Sequence, residues 1–385
     1  MSKKVHQVKV HIKNNSESFI GEALYLAGNF NNWSEEHLKI GYIPKKNEVI
    51  TVILPEVSSG DLELKISRGD WNSLSATKDG KLELPHVSRI QRDTEVYLSI
   101  DAWRDLFPKS TASKQVHVLD DHFFFPELNV YRKVWIYLPK SYSNSAEHFP
   151  VLYMHDGQHL FDEATSVGRA GPIEWMVDET LDESDYPSII VAIDHAKTYD
   201  LRQQEYMINP GHGTEKPQGW AYLEDIVCSL KPYVDEHYRT LTDPQNTAIV
   251  GSSLGGLLNI YAGLKYPEIF GTAVAFSPSI WMDEEKLYHY SREKLKENNL
   301  LRNQQEFYFY IGYRERRYRK MDSQNNMKLD LDRYYSWLLE NFKGELKLEI
   351  NTDGKHGAIY WQLAFREFYT YWQSKINSLQ ITNEI

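Results

Sequence analysis

A chain of 385 residues, 41% hydrophobic and 25% charged, has a globular composition and is too long for one ordinary domain. Its formal net charge of -11 argues against a general nucleic-acid binder, which would present a basic face. The lone Cys228 excludes an intramolecular disulfide or a cysteine metal cluster, and no run of about 18 apolar residues is available to span a membrane.

The first residues, Met1-Ser2-Lys3-Lys4-Val5, lead into no apolar signal region, so a cytoplasmic protein is expected. Residues 1–104 read as strands without a helix: Val5–Ile12 alternates, and Ala23–Leu26, Val49–Leu54, Leu62–Ile66 and Val96–Ile100 are short apolar runs. Turn residues such as Gly28-Asn29 and Lys78-Asp79-Gly80 separate them, which predicts a small all-β sandwich. Polar residues 105–115 are the expected linker. From 116 to 385 the pattern alternates. Strands are expected at Val134–Leu138, Val151–His155, Ile189–Ile193, Ala248–Val250, Ala273–Phe276, Phe307–Ile311 and Leu346–Ile350, and helices near 173–182, 220–238, 254–266, 284–297, 326–341 and 357–374. The fold class is therefore α/β, a doubly wound, mostly parallel sheet covered on both faces.

The stretch Gly251-Ser252-Ser253-Leu254-Gly255 fits G-x-S-x-G between an apolar strand and a helix, the context of a hydrolase's nucleophile elbow. Ser252 is out of frame, which leaves Ser253 as the candidate nucleophile. A serine hydroxyl needs a base, and the base needs an orienting acid. After Ser253 the candidates for base are His289, in a charged helical stretch, and His356, in a loop before the last helix; the loop position favours His356. The acid is expected just beyond strand Phe307–Ile311, with Glu315 first and Asp322 second. Oxyanion donors are expected at the Leu254 amide and, after strand Val151–His155, at the Gln158 amide. His155, Asp156 and His159 are metal-ligand types at close spacing, but no third convergent group accompanies them, and no metal or other cofactor is implied. Arg314, Arg316, Arg317, Arg319 and Lys320 form a basic cluster beside the acid, suited to an anionic group on a substrate or to balancing local acids.

Residues from about 116 to 375 resemble the α/β-hydrolase family of enterochelin-esterase-like siderophore esterases, feruloyl and acetyl-xylan esterases of carbohydrate esterase family 1, and S-formylglutathione hydrolase. The words that carry the resemblance include His155-Asp156-Gly157-Gln158, Arg202 with Glu205-Tyr206, Ser277-Pro278-Ser279-Ile280-Trp281 and Gly354-Lys355-His356-Gly357. The resemblance implies a serine carboxylic-ester hydrolase using Ser253 and His356. It places His155, Asp156, Arg202 and Trp281 near the substrate, with Arg314 added from the basic cluster. Near the N-terminus, Gly28-Asn29-Phe30-Asn31-Asn32-Trp33 and Lys65 through Trp71 resemble starch- and glycogen-binding modules, which implies a glycan site at Trp33, Trp71 and Lys65. The expected partner is a small-molecule ester, with glycan at the N-terminal domain and neither nucleic acid nor membrane. An acyltransferase on the same residues, a glycan binder with an inert hydrolase domain, and a metal-dependent hydrolase are the competing readings.

Overall fold

The structure, a computed structural model, describes residues 4–168, 171–297, 300–317 and 326–383. The chain divides into two compact units, Met1–Thr111 with Asp162–Glu174, and Ala112–Phe161 with Trp175–Ile385.

The first unit is all-β. Its strands are β1 (Val5–Asn14), β2 (Ala23–Gly28), β3 (Leu38–Tyr42), β4 (Val49–Ser58), β5 (Gly60–Ser67), β6 (Ser75–Ala76), β7 (His86–Ile90), β8 (Thr94–Ile100) and β9 (Ala102–Trp103). Sheets ordered β4-β1-β8 and β3-β2-β5-β7 share one core. Alternation assigns the faces: Val8, Val10 and Ile12 of β1 point inward to meet Leu26, Leu64 and Ile66, while Lys9 and Lys13 face out. Each such buried side chain stabilises the fold by about 1.5–3 kcal/mol. The sequence reading missed β3, whose exposed and half-buried residues carry no apolar run.

The second unit is the expected α/β-hydrolase arrangement. Its strands are β10 (Val116–Phe125), β11 (Val130–Tyr137), β12 (Val151–His155), β13 (Ile189–Ile193), β14 (Thr247–Ser252), β15 (Thr272–Phe276), β16 (Glu306–Gly312) and β17 (Glu345–Asn351). They form one sheet in the order β10-β11-β13-β12-β14-β15-β16-β17, parallel from β13 to β17 and antiparallel at the β10–β11 and β11–β13 pairings.

Helices α1 (Val177–Asp182), α2 (Tyr199–Tyr206), α3 (Gly219–Asp225), α4 (Lys231–His237), α5 (Leu254–Lys265), α6 (Glu284–Lys296), α7 (Met327–Asn341) and α8 (Ala358–Asn383) accompany the sheet. Strand residues alternate between two cores. Tyr153, Val191, Ile249 and Phe309 pack under α3 to α7, and Leu152, Ile190, Val250 and Tyr310 pack under α1 and α8. Burial on both faces explains why these strands read as unbroken apolar runs. In α8, Ala364, Phe365, Phe368, Trp372 and Ile376 recur at three- and four-residue steps to face the sheet. Because β12 lies between β13 and β14, the winding reverses there, and the carboxyl ends of strands at such a reversal are where sheets of this kind bind ligands. No helix among the described residues is long and apolar enough to cross a membrane.

Candidate active site

Strand β14 ends at Ser252 and helix α5 begins at Leu254, so the turn consists of Ser253 alone. Its backbone takes φ 58°, ψ -115°, a conformation that costs a non-glycine residue energy and persists only when its surroundings impose it. They do so here: the Ser253 N–H donates to Phe276 O (2.9 Å), and its carbonyl accepts from Ser279 N (3.0 Å) and Leu257 N (3.1 Å). The glycines admit the sharp turn. A β-carbon on Gly251 would stand 2.6 Å from His155 Cδ2, and one on Gly256 3.0 Å from Phe276 O.

The turn aims Ser253 Oγ at His356 Nε2, 3.0 Å away. His356 Nδ1 lies 2.7 Å from Glu315 Oε2. Glu315, 1% exposed, also accepts at Oε1 from the Gly312 amide (2.8 Å) and from Ser277 Oγ (2.6 Å). Glu315 tolerates burial this deep because both of its carboxyl oxygens are hydrogen-bonded. It leaves His356 Nδ1 as donor and Nε2 as the lone pair facing the serine. Ser253, Glu315 and His356 follow β14, β16 and β17, and the structure brings all three into one hydrogen-bonded line. His289 pairs with Glu293 on the solvent-facing side of α6 and takes no part in that line. Asp322 lies outside the described residues, as do Arg319 and Lys320 of the basic cluster.

Leu254 opens α5, so its amide belongs to a helix N-terminus, where backbone N–H groups favour negative charge. Gln158 sits in a short turn, Gly157–His159, entered through Asp156 in the left-handed region at φ 61°. Its side-chain Oε1 accepts from the His195 amide (3.1 Å), which ties this turn to the loop after β13. A β-carbon on Gly157 would lie 3.0 Å from the carbonyl carbons of Ala192 and Ile193, so a larger residue here would have to push this backbone aside by a few tenths of an ångström.

His155 and Asp156 lie beneath the elbow. His155 Nε2 donates to Asn259 Oδ1 (2.7 Å), since Asn259 Nδ2 is committed to Val274 O, and Nδ1 accepts from Tyr222 OH (3.0 Å). Burial pushes this imidazole down to about 4, against the Asn259 bond, which favours the cation. Asp156 grips Arg202 through both oxygens (2.6 and 2.7 Å) and accepts from Tyr206 OH (3.2 Å). Burial alone would raise its carboxyl, but the guanidinium outweighs burial and holds it below the usual carboxylate range. With both His155 nitrogens and both Asp156 oxygens engaged, these side chains brace the elbow and the turn that carries Gln158. Their ligating atoms are committed within the protein. His159 Nε2 lies 3.3 Å from His195 Nε2.

Trp281 is half-buried and edge-on to His212 at 5.2 Å, two residues beyond Ser279, whose hydroxyl stands 3.2 Å from Ser253 Oγ. Arg314 pairs with Asp353 (2.7 Å), Arg316 donates to the Glu315 carbonyl (2.9 Å), and Arg317 forks onto buried Asp330. In the first unit the Trp33 and Trp71 rings are 6.3 Å apart, yet Trp33 is only 9% exposed and Lys65 is 6% exposed. That burial leaves little of the Trp33 face for a sugar to stack on. Ser277, Ser279 and Trp361 are neighbours of the line that sequence reasoning did not single out as site residues. The only signal was the Ser277-Pro278-Ser279 turn directly after a parallel strand.

The sequence model of the family described as Putative esterase matches residues 126–374. The uncharacterized protein YbbA of Bacillus subtilis is 28% identical over 159 residues, 40% of this chain and 58% of that protein. The siderophore triacetylfusarinine C esterase of Aspergillus fumigatus is 30% identical over 149 residues, 36% of this chain and 47% of that protein. The chain thus spans about half the length of these curated relatives. Among solved structures, the enterobactin esterase FES from Shigella flexneri superposes with TM-score 0.51 at 17% identity, covering 93% of this chain and 89% of FES, a likeness of fold.

Proposed function

From the premise that the chain belongs to the Putative esterase family, we propose that it is a serine carboxylic-ester hydrolase acting on small-molecule esters. The observation that carries this reading is the hydrogen-bonded line from buried Glu315 through His356 to Ser253, with the serine held on a strained turn.

In the proposed reaction Ser253 Oγ attacks the ester carbonyl while His356 Nε2 takes its proton. Glu315 keeps the proton on Nδ1 and stabilises the imidazolium. The Leu254 and Gln158 amides receive the negative charge that develops on the carbonyl oxygen. His356 then gives its proton to the leaving alcohol, and an acyl group remains on Ser253. Water, deprotonated by the same imidazole, releases the acid and restores the serine. Every proton moves through His356, and water is the co-reactant that balances the step.

For the substrate, siderophore-type esters are the first class to try, because relatives of this chain carry the names of triacetylfusarinine C and enterobactin esterases. The test is a fluorophosphonate probe with intact-mass readout on wild type and Ser253→Ala, followed by turnover of ferric siderophore esters and feruloyl methyl ester. One adduct on wild type and none on the variant supports an activated serine. No adduct on either protein sinks the reading.

A further inference from the structure

We infer that Ser277 and Trp361 are positioning residues that lock Glu315 in the orientation His356 needs, an assignment resting on the esterase reading above. An indole nitrogen can only donate, so Trp361 Nε1, 2.9 Å from Ser277 Oγ, makes that oxygen the acceptor. The one hydroxyl proton of Ser277 is then directed along its other contact, 2.6 Å to Glu315 Oε1. The same oxygen takes the Gly312 amide at 2.8 Å. Glu315 therefore cannot turn its carboxylate without breaking two buried hydrogen bonds, and Oε2 is left for His356 Nδ1 at 2.7 Å.

Ser277 is itself fixed. It is fully buried, sits in the left-handed region at φ 48°, and donates its amide to Tyr310 O at 2.7 Å. Trp361 also acts at the other end of the acid–base pair. Its ring meets that of His356 edge-on at 5.0 Å, with the planes 87° apart, and its far side leans on Trp175 at 5.8 Å. The first turn of α8 and the turn after β15 thus hold the acid and the base together, and the polarity of donors runs one way, from indole to hydroxyl to carboxylate.

The experiment uses the full chain as Ser277→Ala, Trp361→Phe and the double variant. Steady-state turnover of p-nitrophenyl acetate is measured beside the low-field proton resonance of His356 Nδ1, assigned by its loss in His356→Ala. Ser277→Ala is expected to lower kcat about 10–100-fold with KM unchanged and to shift or broaden the resonance, since small misplacements of catalytic groups cost that much. Trp361→Phe keeps an aromatic ring but loses the donor, and is expected to give a smaller loss of the same kind. The double variant should be no worse than Ser277→Ala, because phenylalanine still presents a ring edge to His356 and the lost donor acts only through the hydroxyl.

A folded Ser277→Ala with wild-type kcat and resonance overturns the proposal, and so does a Trp361→Phe loss that adds in full to that of Ser277→Ala. If Ser277→Ala does not fold, Trp361→Phe decides alone: a lowered kcat with a shifted resonance supports the relay, and wild-type values overturn it. The resonance is read without turnover. A wild type that takes no fluorophosphonate fails the esterase reading, while the resonance still tests the relay.

Discussion

Gly312 and Gly354 lie backbone against backbone: a β-carbon on Gly312 would stand 2.4 Å from the Gly354 carbonyl carbon, and one on Gly354 2.7 Å from the Gly312 α-carbon. Glu315 follows the first by three residues and His356 follows the second by two. Hydrogen bonds from the Tyr313 amide to Asn351 O (2.8 Å) and from the Arg314 amide to Gly354 O (2.9 Å) close the same seam. The contact sets how far the acid stands from the base.

Gly312→Ala should therefore force the two loops apart. Overpacking of this kind costs about 1–3 kcal/mol, so a lowered melting temperature is expected together with a lowered kcat. Thermal unfolding and single-turnover acylation check it; a variant unchanged in both would mean the loops slide apart freely.

Glu315→Gln keeps the shape of the acid but places an amide where donors already converge from Gly312 and Ser277. Whichever way the amide turns, it either loses acceptors for those donors or offers the wrong partner to His356. The expectation is a fall in kcat of about 10³–10⁴-fold, the scale set by loss of the correct histidine tautomer. Burst kinetics with a chromogenic ester measure it, and a loss under tenfold would remove Glu315 from the mechanism.

The stability of the second unit should depend on acid in a definite direction. Burial holds His155 and His159 at about 4 in the folded protein, against an ordinary 6.5. The unfolded chain then binds protons that the native state refuses, so this contribution is complete above pH 6.5 and is lost as pH falls toward 4. Urea midpoints at pH 7 and pH 5 should differ accordingly. His155→Gln should shrink the difference, and an unchanged slope would assign it to other groups.

Arg202→Met should cost more than a surface ion pair would. Asp156 is 5% exposed, and its two short bonds to Arg202 are what keep it ionised there. Removing one partner from such a pair typically destabilises by about 3–5 kcal/mol. Because Asp156 also begins the turn carrying Gln158, esterase turnover should fall with stability. Asp156→Asn with Arg202→Met should recover part of the stability, and equal instability of the double and single variants would refute the buried-charge account.

Much of this was readable from the sequence, for physical reasons that differ by element. Strands β12 and β13 were expected at their observed bounds because burial on both faces demands unbroken apolar runs. The elbow was readable because only small residues pass so close to His155. Strand β10 was not, since its pairing with β11 slips in register between Val118 and Asp120 and again before Phe123, which erases the two-residue period. Helix α2 was missed because its buried residues, Gln203, Glu205 and Tyr206, are mostly polar and find partners rather than an apolar face. The Ser277-Pro278-Ser279 turn drew attention as a motif, but the role of Ser277 did not, since its hydroxyl's partners are a glutamate 38 residues on and a tryptophan 84 residues on.

Ser253, the Ser277–Ser279 turn, Glu315 and His356 follow β14, β15, β16 and β17, four neighbours in the sheet. The hydrogen-bonded line consequently crosses the strands like a ruler laid over floorboards, and the strand spacing of about 4.8 Å sets its graduations. Loops elsewhere on that rim can lengthen, shorten or change chemistry to suit a different ester without altering those graduations. On the proposed mechanism, the sheet's lattice fixes the spacing of the reacting groups, and the choice of substrate is left to the parts of the rim that the lattice does not hold.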